Sequence, residues 1–116
     1  MAIRTNLKFF QGEDILLQLT IVDDDGAAVD ITGYTFTCTI LANYGDATPV
    51  AGPYTIGSGI TIIDAATGRV DVAIPDGDTD GLDAGPYVYD VKRSNEGAEA
   101  IEAYGAFELL PAATLT

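Results

Sequence analysis

Ile15-Leu16-Leu17-Gln18-Leu19-Thr20-Ile21 places Ile15, Leu17, Leu19 and Ile21 at every second position. That is the period of a strand with one dry face. Asp23-Asp24-Asp25-Gly26 follows at once, and its Asp-Gly pair marks a turn. Working outward, Tyr34-Thr35-Phe36-Thr37-Cys38-Thr39-Ile40 alternates in the same way, with Phe36, Cys38 and Ile40 inward and threonines outward. Gly59-Ile60-Thr61-Ile62-Ile63 and Arg69-Val70-Asp71-Val72-Ala73-Ile74 flank Asp64-Ala65-Ala66-Thr67-Gly68 as a hairpin. Gly68 is placed to take a positive φ at the end of that turn. After the turn-rich Pro75 to Gly85 stretch, Tyr87 to Lys92 alternates again. A loop at Ser94-Asn95-Glu96-Gly97 leads to a last strand, about Ala100 to Leu110, with Ile101, Phe107 and Leu109 inward and Gly105 marking a bulge. A short first strand, Leu7 to Phe10, precedes Gln11-Gly12. Ala42 to Ser58, rich in Gly and Pro, reads as a long loop or a loop with a short edge strand.

About seven strands at turn-punctuated spacing, with no helical stretch beyond one or two turns, predict an all-β fold. The expected architecture is an immunoglobulin-like β-sandwich of about seven antiparallel strands. The 116 residues suit a single domain, 1–116, without repeat or linker. With 18 acidic and 5 basic residues the formal charge is 5 − 18 = −13, which disfavours nucleic acid and anionic membranes as partners. The cations Arg4, Lys8, Arg69, Lys92 and Arg93 form no run. No stretch approaches the ~18 apolar residues of a membrane span, and MAIRTNLKFFQGED does not read as a signal peptide. One cysteine cannot close an internal disulfide, so a reducing cytoplasm is the expected site of synthesis. Without histidine, His-based triads and His-ligated zinc cannot be built.

Asp76-Gly77-Asp78-Thr79-Asp80-Gly81 matches the opening of a calcium loop, with carboxylates at the first, third and fifth positions and Gly at the sixth. Tyr87 stands where the twelfth-position Glu belongs, and flanking helices are missing. Asp76, Asp78 and Asp80, with Asp83 nearby, are therefore weak calcium candidates. The structural account, in which aspartates close the turns of an interstrand connection, outweighs them. Asp23-Asp24-Asp25 reads more simply as a solvated turn than as a cation site. Cys38, between Phe36 and Ile40 and with no histidine to activate it, is a small buried hydrophobe rather than a nucleophile. Ser58 and Ser94 have no triad partner, and Gly57-Ser58-Gly59 lacks the Lys and helix start of a phosphate loop. No catalytic residue and no cofactor is expected.

The tyrosines say more. Leu82-Asp83-Ala84-Gly85-Pro86-Tyr87-Val88-Tyr89 resembles the tyrosine corner of immunoglobulin-like sandwiches, with Tyr87 bonding back to the preceding corner. Tyr44 and Tyr54, in the stretch read as an exposed loop, suit a protein contact, and turn packing accounts for them equally well. Ile3, Phe9, Phe10 and Leu115 give the terminal segments, Met1 to Phe10 and Leu110 to Thr116, apolar character that a solitary domain does not need exposed. Edge-strand packing is the other account of them. Ile3, Phe9, Phe10, Tyr44, Tyr54 and Leu115 are the expected partner contacts.

Phe10-Gln11-Gly12-Glu13-Asp14 runs into an alternating strand, and Val29-Asp30-Ile31-Thr32-Gly33 follows the Asp-Gly turn. The Gly59-to-Ile74 hairpin comes next, then Gly85-Pro86-Tyr87-Val88-Tyr89-Asp90. This order resembles small immunoglobulin-like modules of tailed-bacteriophage virion proteins, the N-terminal module of the upper baseplate protein among them. The resemblance spans roughly Leu7 to Leu110. It implies a structural protein of the virion, assembled in the host bacterial cytoplasm, whose partners are other proteins of the capsid, neck, tail or baseplate. The chain stops at Thr116 with no coiled coil or receptor-binding domain. That favours an accessory role, such as capsid decoration or a tail adaptor, in which assembly as a homo-oligomer adds avidity. The alternative is a carbohydrate- or receptor-binding module, calcium-assisted through Asp76, Asp78 and Asp80. A carboxylate-based hydrolase is a third class, which the absence of His and Trp counts against.

Overall fold

The structure, a computed structural model, describes residues 3–95 and 98–113, the side chains of residues 3, 95 and 98 excepted. Its strands are β1 (Ile3–Arg4), β2 (Leu7–Phe10), β3 (Ile15–Thr20), β4 (Thr35–Leu41), β5 (Ala51–Ile56), β6 (Gly59–Asp64), β7 (Arg69–Ile74), β8 (Gly85–Asn95) and β9 (Ala98–Leu110). They join into one nine-stranded sheet in the order β1-β9-β8-β4-β5-β6-β7-β3, with β2 also on β9. Helix among the described residues is confined to single 3-10 turns at Ala65–Thr67 and Asp76–Asp78. No helix among them is long and apolar enough to cross a membrane.

The all-β expectation matches this architecture, and its finer form does not. The sheet is continuous and nearly closed, hence barrel-like, rather than a sandwich of seven strands. The expected strands are present, and β1 and β5 join them. β5 lies in the stretch read as a long loop or a loop with a short edge strand, and it is internal rather than an edge, lying between β4 and β6. Gly52 and Pro53 made it read as a turn. A register shift in the β4–β5 ladder between Cys38 and Ile40 accommodates them there, and Pro53 stays exposed. Nor are all pairings antiparallel, since β1 and β2 run parallel to β9 and β5 parallel to β6.

The core follows the two-residue period. Phe36, Cys38 and Ile40 of β4, Val70, Val72 and Ile74 of β7, Tyr89 and Val91 of β8, and Phe107 and Leu109 of β9 all point into it. Each large side chain so buried contributes about 1.5–3 kcal/mol relative to exposure. The β6–β7 hairpin closes through the Ala65–Thr67 turn and Gly68, whose φ is 74°. A Cβ at Gly68 would lie 2.7 Å from the Ile21 carbonyl oxygen and 2.8 Å from that of Val29. The glycine thus serves both the turn and the close approach of the loop after β3.

The bulge expected at Gly105 lies at Glu102 instead. Val91 pairs with Ala103 and Lys92 with Ile101, which leaves Glu102 as the extra residue, while Gly105 stays in register with Tyr89. Gly105 is required for another reason: a Cβ there would collide with the carbonyl oxygen of Thr5, where β1 gives way to β2. At that break the Thr5 N–H donates to Tyr104 O, 2.9 Å away. The Tyr89 hydroxyl donates to Thr5 O at 2.8 Å, and the Ala106 N–H donates to Asn6 Oδ1 at 3.1 Å. Gly105→Ala should therefore push β1–β2 off β9 and lower stability by roughly 1–3 kcal/mol in urea unfolding. Gly77→Ala, where an added Cβ meets nothing, should change it by less than about 0.5 kcal/mol.

Candidate functional site

The sheet ends at β3 on one side and at β1 and β2 on the other, so each end presents backbone with no strand beside it. The Ile21 N–H donates to Gly68 O and continues the β3–β7 ladder. Antiparallel alternation then turns the N–H and C=O groups of Ile15, Leu17 and Leu19 toward β7 and those of Leu16, Gln18 and Thr20 outward. On β2 the phase is set by Thr5 N–H to Tyr104 O and Gln11 N–H to Leu110 O. Lys8 and Phe10 therefore face outward, and the Phe10 N–H is already taken by Glu13 Oε1 at 2.8 Å. The β2 edge is short, carries a lysine and has one donor capped. The β3 edge is six residues long, uncharged and free of proline and bulge. It has none of the devices that keep edge strands from pairing.

A groove runs between these edges. Its widest part, about 380 Å³, is lined by Leu7 and Phe9 of β2, Leu16, Leu17 and Leu19 of β3, and Tyr89 of β8. It continues past Thr5 and Gln18 into a space of about 180 Å³ that reaches Val22, Glu102 and Ala103. Beyond lies a mouth of about 270 Å³ edged by Asp23, Asp24, Arg93 and Glu102. Leu16, at an outward position of β3, is 54% exposed.

The Glu102 bulge sets the chemistry of the mouth. It turns the Glu102 side chain inward, where it is 3% exposed and 2.7 Å from Arg93 Nε. The Arg93 guanidinium carbon also sits 5.3 Å from the centroid of the Tyr34 ring. Sequence reading missed this pair, because strict alternation with Ile101 inward puts Glu102 in solvent. Leu16, in contrast, had a visible signal: it is the aliphatic residue that breaks the alternation of its strand.

The predicted site residues are distributed differently from expectation. Tyr54 is 6% exposed, and its hydroxyl donates to Asp78 Oδ2 at 2.6 Å. It is a core residue of β5 rather than part of an exposed loop. Tyr44 is 54% exposed, but its hydroxyl reaches the carbonyl oxygens of Tyr89 and Gly105, both at 3.2 Å, and ties its loop to β8 and β9. Phe9 packs on Phe107 with ring centroids 5.8 Å apart and lines the groove, while Phe10 at the end of β2 is 51% exposed. The Ile3 side chain and Leu115 lie outside the described residues. The Tyr87 hydroxyl donates back to Asp83 O at 2.7 Å, the geometry expected of a tyrosine corner.

The acidic loop is engaged with the chain itself. Asp78 holds Tyr54, and the Asp76 N–H donates to Asp14 Oδ1 at 2.9 Å. The Gly12 N–H donates to the buried Thr79 hydroxyl at 3.1 Å. Among the described residues no three His, Cys, Asp or Glu side chains come together to hold a metal ion. Asp23 Oδ1 likewise closes its own turn by accepting from the Asp25 and Ala27 N–H groups. Cys38 is wholly buried.

No protein-family model matches the sequence, and no curated protein matches it. Solved structures do match, among them the N-terminal domain of phage TP901-1 ORF48. That likeness has a TM-score of 0.55 at 11% identity and covers 90% of this chain and 84% of the other. It shows a shared fold.

Removing the guanidinium beside a buried carboxylate destabilises more than removing both charges. Arg93→Ala should therefore lower stability by about 2–4 kcal/mol, and adding Glu102→Gln should restore part of that loss in a double-mutant cycle. A second expectation concerns alkaline pH. Burial, then the charge of Asp90, pushes the Cys38 thiol from 9.0 up to about 12. Burial, then Cys38 and Tyr44, raises the Tyr89 hydroxyl from 10.0 to about 12. Both hold their protons more tightly when folded, so their contribution is complete below about pH 9 and is lost as pH rises from 9 to 12. The melting temperature should fall across that window, with a shallower slope just above pH 9 in Cys38→Ala. The native thiol should resist alkylation until the protein unfolds.

Proposed function

We propose that this chain is a non-enzymatic structural module of a tailed-bacteriophage virion, docking to other virion proteins at the capsid, neck, tail or baseplate. The observation that carries the reading is the fold likeness to a phage protein domain over nearly the whole of both chains. The resemblance in motif order favours the baseplate among those places. On this reading the continuous, barrel-like sheet is a variant of the immunoglobulin-like fold.

The chemistry of the surface agrees with a docking role. Cys38 is sealed in the core, the Asp76 carboxylate accepts from the Gly77 N–H of its own turn, and that of Asp78 accepts from Tyr54. What the chain offers to others is an uncharged strand edge beside an apolar groove. A charge of −13 keeps copies apart in solution and steers them toward basic partners. Mass spectrometry of purified particles, counting this chain against the major capsid protein, tests the reading. A fixed ratio is expected: near parity means the head lattice, and a few copies per hundred means the neck, tail or baseplate. Absence from particles sinks the virion role.

A further inference from the structure

We propose that the β3 edge takes an extended segment of another protein as an added strand, running antiparallel to β3 with a basic N-terminal end. For the partner's identity this rests on the virion reading; the chemistry of the edge does not. Leu16, Gln18 and Thr20 direct three consecutive outward sets of N–H and C=O groups along one side of β3, and no described residue bonds to them. An extended chain satisfies such a row in register, and antiparallel pairing is the more stable form. Alternate side chains of the added strand would then enter the groove against Leu7, Phe9, Leu19 and Tyr89, so those positions take aliphatic residues.

Charge selects the occupant. β3 runs toward the mouth, where the Asp23 carboxylate stands beside the Arg93–Glu102 ion pair. An antiparallel strand brings its N-terminal end there, and lysine or arginine at that end complements the excess of carboxylate. The same charge argues against a second copy of this chain as the occupant. Pairing two β3 edges would bring together two molecules of charge −13 each.

The probe is a fluorescein-labelled peptide of alternating valine and threonine with two N-terminal lysines, measured by fluorescence polarisation against the full chain. Companion peptides carry the lysines at the C-terminal end or replace them with glutamates. Gln18→Pro deletes an outward N–H that bonds to no described residue, so the β3–β7 ladder survives. Thr20→Lys places a charge on the same edge if the proline variant fails to fold. The expected result is binding of the N-terminal lysine peptide, at least tenfold weaker to either variant. Binding should also be at least threefold weaker for each companion peptide, with the differences shrinking as salt is added.

Equal binding by a folded Gln18→Pro chain, or none to the native chain at millimolar peptide, overturns the proposal. So does a concentration-dependent dimer of the native chain that Gln18→Pro abolishes, which would assign the edge to self-pairing. In particles, a Gln18→Pro chain incorporated at the native ratio defeats the edge and leaves the virion role standing. A native chain missing from particles defeats the virion role, and the peptide measurements then decide the edge alone.

Discussion

Tyr89 buries its ring edge-on to Phe107, 6.5 Å between centroids, and passes its hydroxyl under the sheet to the carbonyl oxygen of Thr5. That bond, with Gly105 making room for the Thr5 backbone, holds the N-terminal strands parallel to β9. Backbone donors and acceptors must be satisfied wherever they are withdrawn from water. With β1 and β2 paired on β9, no strand lies between their other edge and β3, and the outward groups of β3 are left to solvent or to a partner. The open seam and the groove beside it follow from this one choice of pairing. So does the half-burial of Leu7, Phe9 and Leu19, core-facing residues of strands at the two ends of the sheet.

Polar chemistry that looked functional in isolation is mostly spent on holding loops. The Gln11-to-Asp14 turn and the acidic loop clasp each other through Gln11 to Leu82 O, Gly12 to Thr79 and Asp76 to Asp14. Tyr54 anchors Asp78 from the core. The exposed ion pairs Lys8–Glu108 and Lys92–Glu99 lie in water and contribute little. The buried Arg93–Glu102 pair differs from them. Desolvation offsets much of its attraction, so its main effect is to fix the bulge and the charge at the mouth of the seam.

The proposed docking role draws on the least defended part of the molecule. Natural sheets blunt their edges with charge, proline or bulges, and β2 does so with Lys8 and with Glu13 over the Phe10 N–H. β3 carries Leu16 and Gln18 at those positions. An edge left this plain in a strongly acidic chain is protected from its own copies by charge, while it remains open to a basic strand.

Period-two alternation was enough to locate β3, β4, β6, β7, β8 and β9, because the face a strand residue occupies is a local property of the pleat. Asp-Gly and Thr-Gly turns, and the backward bond of Tyr87, were legible for the same reason: their partners lie within a few residues. The sequence alone thereby determined an all-β chain, its turns and most of its core. Which strands would pair was not written locally. β5 was hidden because Gly52 and Pro53 read as turn residues, whereas they form the bulge of β5 opposite Thr39, and Tyr54 was misplaced with it. A separate bulge in β9 inverted Glu102, and the parallel course of β1 and β2 along β9 decided which edges stay open. Those outcomes rest on hydrogen bonds between residues far apart in sequence, as from Ala106 to Asn6, 100 positions away, and only the tertiary structure could choose among them.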